Sequence, residues 1–210
     1  MATFTEGRHA GEHVLSEASG SRSREQGMLA SGNLSAGTVL GLSNVGAATT
    51  AADAANTGDG TMSAVTVGTG ATPGDYQIVY VSASDFEVED PEGVNLGTGE
   101  NGVEFSAGGI TFTVTAGATA FAAGDTFTIT VAAGSGSYAP LDLAATDGSD
   151  RAAAVLYGAV DASAGAEPCT VNVRDCEVHG EALTWPDGIT ADQKAAAIEQ
   201  LAARGVIVRD

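Results

Sequence analysis

Apolar residues fall into two regimes along this chain. From residue 61 to residue 133 they alternate with polar ones. In residues 75–83, Tyr76, Ile78 and Tyr80 share one parity, and Gln77, Val79 and Val81 the other. Phe86 and Val88 are spaced by Asp85, Glu87 and Glu89. Ile110, Phe112 and Val114 alternate with Thr111, Thr113 and Thr115; Phe127, Ile129 and Val131 alternate with Thr126, Thr128 and Thr130. A period of two sends neighbouring side chains to opposite faces of a strand. Each run, with a first one at residues 61–67, therefore predicts a strand with one apolar and one wet face. Gly, Pro and Asp separate the runs at hairpin-like intervals, which predicts a small antiparallel sandwich.

Outside that block the pattern changes. In residues 1–30, Phe4, Val14, Leu15, Met28 and Leu29 are isolated among Gly, Ser, Glu and Arg. Such a segment buries too little to order itself, which predicts a flexible arm. Residues 37–42 (Gly-Thr-Val-Leu-Gly-Leu) read as a short strand, and residues 43–60 as a linker rich in turn residues. Gly134-Ser-Gly-Ser137 reads as a flexible return linker. A strand follows at residues 170–173. Thr190 with Gln193 three residues on is a capping box. Ala195, Ile198, Leu201 and Ala202 then form a helical apolar face. Gly205 ends that helix, and residues 206–208 make a last strand.

The predicted fold class is mainly β with one C-terminal α-helix. A small discontinuous α+β core carries an inserted antiparallel, sandwich-like β domain. The expected divisions are an arm at 1–30, a core at 31–45 plus 137–210, and an insertion with flanking linkers at 46–136. A core that small is marginal alone, and oligomerisation is the inexpensive remedy.

Composition narrows the function. The net charge over 210 residues is −19, and no Lys, Arg or His lies between Arg24 and Arg151. Phosphate backbones need clustered cations, so nucleic-acid binding is excluded for the middle of the chain. No run of 18 apolar residues spans a membrane, and the N-terminus lacks the apolar stretch of a signal peptide. Synthesis and assembly in the cytoplasm are expected.

Candidate chemistry is sparse, and no catalytic residue, metal or cofactor is expected. Cys169 and Cys176 flank one strand region at a spacing beyond disulfide reach in extended chain, and read as free buried thiols. Asp142, Asp147 and Asp150 are turn carboxylates without a His, Lys or Cys partner nearby. Asp85, Glu87, Glu89, Asp90 and Glu92 form an acidic face whose default is solvation, with calcium the alternative. His9, His13 and His179 are scattered.

Two blocks carry a resemblance. The first is Gly11-Glu-His-Val-Leu-Ser-Glu-Ala-Ser-Gly20 with Ser21-Arg-Ser-Arg-Glu25 and Ala36-Gly-Thr-Val-Leu-Gly41. The second runs from Tyr138 to Arg209. It includes Asp147-Gly-Ser-Asp150, Ala152-Ala-Ala-Val-Leu-Tyr157, Val171-Asn-Val-Arg174, Leu183-Thr-Trp185 and Gly205-Val-Ile-Val-Arg209. In this order they resemble the lambda-type head decoration proteins of tailed phages. The resemblance implies a non-enzymatic homotrimer on the outer capsid surface of the virion. Its partner would be the major capsid protein in the expanded shell, gripped by the N-terminal arm. Phe4, Val14, Leu15, Arg22 and Arg24 are the arm's candidate contacts. Leu156, Tyr157, Leu183 and Trp185 are the candidates for core or trimer packing. For the insertion two readings stand: added bulk, or an adhesin-like module with a glycan or host-surface ligand.

Overall fold

The computed structural model describes residues 6–210. The chain is mainly β, with one α-helix near its C-terminus. It forms two compact units: Met1–Ser43 with Gly136–Asp210 (unit 1), and Asn44–Ser135 (unit 2). Unit 1 opens with β1 (Val14–Glu17), β2 (Arg24–Leu29), β3 (Gly32–Leu34) and β4 (Val39–Leu42). Unit 2 holds β5 (Val45–Ala52), β6 (Thr61–Met62), β7 (Thr66–Val67), β8 (Gly74–Tyr80), β9 (Asp85–Glu89), β10 (Asn95–Glu100), β11 (Glu104–Ala107), β12 (Ile110–Thr115) and β13 (Thr126–Ala133). Unit 1 resumes with β14 (Tyr138–Pro140), β15 (Ala152–Leu156), β16 (Val160–Ala162), β17 (Glu167–Asn172), β18 (Cys176–His179), α1 (Ala191–Ala203) and β19 (Val206–Arg209).

In unit 2, alternation in sequence becomes alternation in burial. A five-stranded sheet runs β10-β9-β8-β13-β5, and a second runs β11-β12-β6, with β7 also on β12. One core joins side chains from both sheets, including Tyr76, Ile78, Phe86, Phe105, Phe112 and Ile129. Tyr80 stacks on Phe121 with ring centroids 4.1 Å apart, and Phe86 on Phe112 at 6.0 Å. Such pairs add to the area they bury. The Asp125 carboxylate accepts backbone N–H groups from Thr57, Gly58 and Ala122. Asn56 exchanges two hydrogen bonds with the Thr126 backbone. Together they fasten the loop before β6.

Two expectations for unit 2 need correction. The stretch read as a linker contains β5, an edge strand paired with β13 from Ala52↔Phe127 to Val45↔Ala133. An edge strand is held by its ladder, so small Ala and Thr side chains suffice. The run at 61–67 splits into two short strands. Between them the exposed Ser63 exchanges bonds with the Thr113 backbone.

Unit 1 is built around a closed barrel, ordered β14-β2-β17-β15-β4. Beside it lie a three-stranded sheet, β1-β18-β19, and a β3–β16 pair. β18 and β19 are parallel, and α1 supplies the crossover that parallel strands need. All five positions of β15 are buried. Its pairing with β4 slips between Ala152 and Ala154, which lets Ala152 and Val155 share a face. These two pack with Val178, Leu201 and Val206; Ala154 and Leu156 pack with Leu29, Leu40 and Val171. A strand covered on both faces shows no alternation.

The largest correction concerns residues 1–30. Their described part is not a flexible arm. β1 pairs with β18, and β2 pairs along its whole length with β17, from Arg24↔Asn172 to Leu29↔Glu167. Leu29, Ser23 and His13 are buried. Counting apolar side chains missed a segment held mainly by main-chain bonds to distant strands.

The capping box is formed: Thr190 accepts from the Gln193 N–H, and Gln193 reaches back to the Thr190 N–H. Gly205 has φ +86, suiting the residue after the helix cap. The buried face is Ala197 and Leu201, with Ile198 half-buried; Ala195 and Ala202 are exposed. Alanines occur all round this helix, so their spacing does not mark its inner face. Cys169 and Cys176 are free and buried on separate strands, β17 and β18. Burial raises both thiols, Cys176 to about 11.

Candidate interaction surface

The N-terminal segment of unit 1 is fastened by named contacts. The Arg8 guanidinium donates to the Ala182 carbonyl and, at 2.9 Å, to Thr184 Oγ1. The Gly11 N–H donates to the Tyr157 carbonyl at 2.8 Å. Gly11 has φ +75, and a Cβ there would lie 2.8 Å from the Tyr157 ring. Only glycine fits this approach.

β1 is an edge of its sheet, with a register shift between Val14 and Ser16. Val14 is half-buried opposite Val178, while Leu15 is 53% exposed. Arg22 forms an exposed ion pair with Asp175 at 3.1 Å. Arg24 is committed inside the unit. It pairs with Glu17 and lies 4.0 Å over the Tyr157 ring. The Arg24 hydrogen bond holds the Glu17 carboxyl below its usual value, helped by Ser23. Phe4 lies outside the described residues.

Leu156 and Leu183 are buried in separate clusters of unit 1. Trp185 packs on the cluster containing Leu183 and Leu201. The Lys194 ammonium sits 5.4 Å from its ring centroid. Trp185 also lines a cleft of about 260 Å³ with Leu34, Val39, Pro140, Leu141 and Pro186. Tyr157 is half-buried, with Arg24 over its face and His13 at 6.4 Å. Of the residues singled out in the sequence, Arg24 and Tyr157 meet, and Leu183 and Trp185 belong to one cluster.

The carboxylates do local work. Asp142 caps the Ala144 N–H, and Asp147 holds the Ser149 N–H and hydroxyl. Asp85 takes Ser82 and Ser84, and Asp90 ties the Glu92 and Val94 N–H groups. Among the described residues no group of three His, Cys, Asp or Glu side chains is placed to hold a metal. Likewise, no described helix is long and apolar enough to cross a membrane.

Sequence reading passed over the most buried polar pair. His13 is 1% exposed and Asn172 0%; His13 Nε2 and Asn172 Oδ1 are 3.1 Å apart. The pair joins the start of β1 to the end of β17. No spacing in the sequence announces a contact between residues so far apart.

Comparison with known proteins gives one extensive match. The family model described as bacteriophage lambda head decoration protein D matches residues 3–90 and 99–206. The match runs through most of unit 2 as well as the two blocks read from the sequence. No curated protein matches the chain. Among solved structures, it is similar at 24% identity to FlgL of Xanthomonas campestris, over 47% of this chain and 32% of that one, with TM-score 0.35. It is also similar at 25% identity to the flagellar hook junction protein FlgK from Burkholderia pseudomallei, over 59% and 23%, with TM-score 0.34. The chain thus spans about a third or less of those proteins. Likeness at that level carries no inference about role.

Proposed function

Because this chain belongs to the bacteriophage lambda head decoration protein D family, we propose that it binds the outer surface of the expanded capsid as a homotrimer. It contacts the major capsid protein through its N-terminal segment. The family match across residues 3–90 and 99–206 carries this reading. The family is structural rather than enzymatic, and the role is mechanical: a trimer clamps neighbouring capsid subunits against internal pressure. It is assembled in the host cytoplasm and stays on the virion.

The surface of unit 1 supports the mode of attachment. β1 is a sheet edge with Leu15 exposed. A strand added there gains main-chain hydrogen bonds, and three copies per trimer multiply the affinity. Leu15 and Arg22 face the partner. Arg24 does not, since Glu17 and Tyr157 already hold it.

A second reading makes unit 2 an adhesin-like binding module for a glycan or host-surface ligand. Its own core and exposed Val79, Val81, Val94 and Val103 favour it.

Co-sedimentation with capsids of the cognate phage tests both readings. Three proteins are compared: the full chain, the chain without residues 1–7, and Leu15→Glu. The full chain binds expanded, undecorated capsids saturably and in multiples of three. Each variant loses at least tenfold in affinity. Failure of the full chain to bind sinks decoration; equal binding by the variants moves the contact elsewhere, with unit 2 next to be tested.

A further inference from the structure

His13 stands where the chain enters β1, between the Gly11 turn and the strand. Its ring is buried and makes one hydrogen bond, Nε2 to Asn172 Oδ1 at 3.1 Å. Among the described residues, His13 Nδ1 and Asn172 Nδ2 have no hydrogen-bond partner. The main chain around His13 is tied to three other places. Gly11 N–H donates to the Tyr157 carbonyl, His179 N–H to the His13 carbonyl, and Ala18 N–H to the Asp175 carbonyl, at 2.8, 2.8 and 2.9 Å.

We propose that His13 is an acid-sensitive clasp: protonation of its ring releases the segment from Gly11 to Ala18 from β17 and β18 while the barrel stays closed. The clasp rests on this geometry alone; its bearing on capsid binding, which uses β1 as a sheet edge, rests on the function proposed above.

Every neighbouring charge disfavours the imidazolium or is already engaged. Arg8, just before the segment, is a cation. The Glu12 carboxylate holds the His9 N–H at 2.9 Å. The Glu17 carboxylate is taken by Ser23 and Arg24. Tyr157 offers a ring 6.4 Å away, already faced by Arg24. His179 on β18 contributes its backbone N–H. A second ring N–H would therefore be buried without an acceptor, which is costly for a neutral group and more so for a charged one.

The sign follows from linkage. Burial, the largest influence, and Arg8 hold His13 below its ordinary value, against the Asn172 hydrogen bond. Once released, the ring regains a pKa of about 6.5. The clasp is at full strength above that pH. Below it, the ratio of open to closed rises by up to about tenfold per pH unit, and levels off below the depressed value.

The test is hydrogen exchange on the full chain between pH 7.5 and 5, corrected for intrinsic exchange. The Gly11, Ala18 and His179 amides report the clasp. The Leu156 amide, bonded to the Thr38 carbonyl at 2.9 Å, reports the barrel. The expected result is up to about fivefold more opening at the three clasp amides from pH 6.5 to 5.5, with Leu156 unchanged. In His13→Gln, which keeps a neutral partner for Asn172, the dependence disappears. NMR titration of the His13 ring in the unaltered chain gives a second answer should the variant misfold. Ordinary titration of the ring with pH-independent clasp amides overturns the proposal. So does the same acid response in His13→Gln.

Discussion

The two units solve the same problem by different means. Unit 2 stacks aromatic rings from two sheets, on strands that alternate residue by residue. Unit 1 closes a barrel around mainly aliphatic side chains, with a strand buried on both faces and a polar pair beside it. Aromatic alternation needs only local sequence to declare itself. A barrel sealed by distant segments needs its partners to be known. The difference decides which substitutions matter in each unit and how each can be read separately, since Trp185 is the one Trp of the chain and lies in unit 1.

The largest expected effect is in unit 2. Phe86→Ala empties a fully buried ring site and costs about 3–5 kcal/mol. Thermal unfolding followed by far-ultraviolet circular dichroism shows an earlier transition, while the Trp185 fluorescence midpoint stays in place. A joint shift of both signals would mean the units do not unfold separately. Next is Gly41→Ala in unit 1, where a Cβ would lie 2.2 Å from the Ser149 carbonyl oxygen. Overpacking of that kind costs about 1–3 kcal/mol, and here the Trp185 midpoint moves.

A smaller effect, confined to acid, comes from Asp125. The Thr57 N–H, then those of Ala122 and Gly58, hold its carboxyl below the usual value of 3.8. The unfolded chain therefore takes up the proton first. Stability from this group is present above about pH 4 and is lost as the pH falls through the depressed value. Asp125→Asn removes that slope from the acid denaturation of unit 2. The smallest effect is at the helix cap. Thr190→Ala removes one side of the capping box and costs about 1 kcal/mol, read as a lower urea midpoint of Trp185 fluorescence.

These contrasts also explain what could be read in advance. Tyr76, Ile78 and Tyr80 announced β8 because their partners' faces follow the same period. Thr190 and Gln193 announced the helix start because capping chemistry is local. β15 gave no periodic signal because Ala152 to Leu156 are covered on both sides. β1 and β2 looked disordered because their stability comes from β17 and β18, far along the chain. At the candidate surface, Leu15 and Arg22 were visible as isolated apolar and cationic points. The commitment of Arg24 to Glu17 and Tyr157 was not, nor was the His13–Asn172 pair, since both depend on which strands become neighbours.

The pairing of β2 with β17 sets the order in which a newly made chain acquires structure. Gln26 meets Thr170 across 144 residues of sequence. When β2 leaves the ribosome, the strand that will hold it has not been translated. Unit 2 has every strand it needs by Ala133, so it folds first, while β2 waits unpaired. Closing so long a loop is slow, and an unpaired strand is a risk for aggregation meanwhile. The finished barrel is thus a late event in synthesis, sealed when β17 pairs with β2.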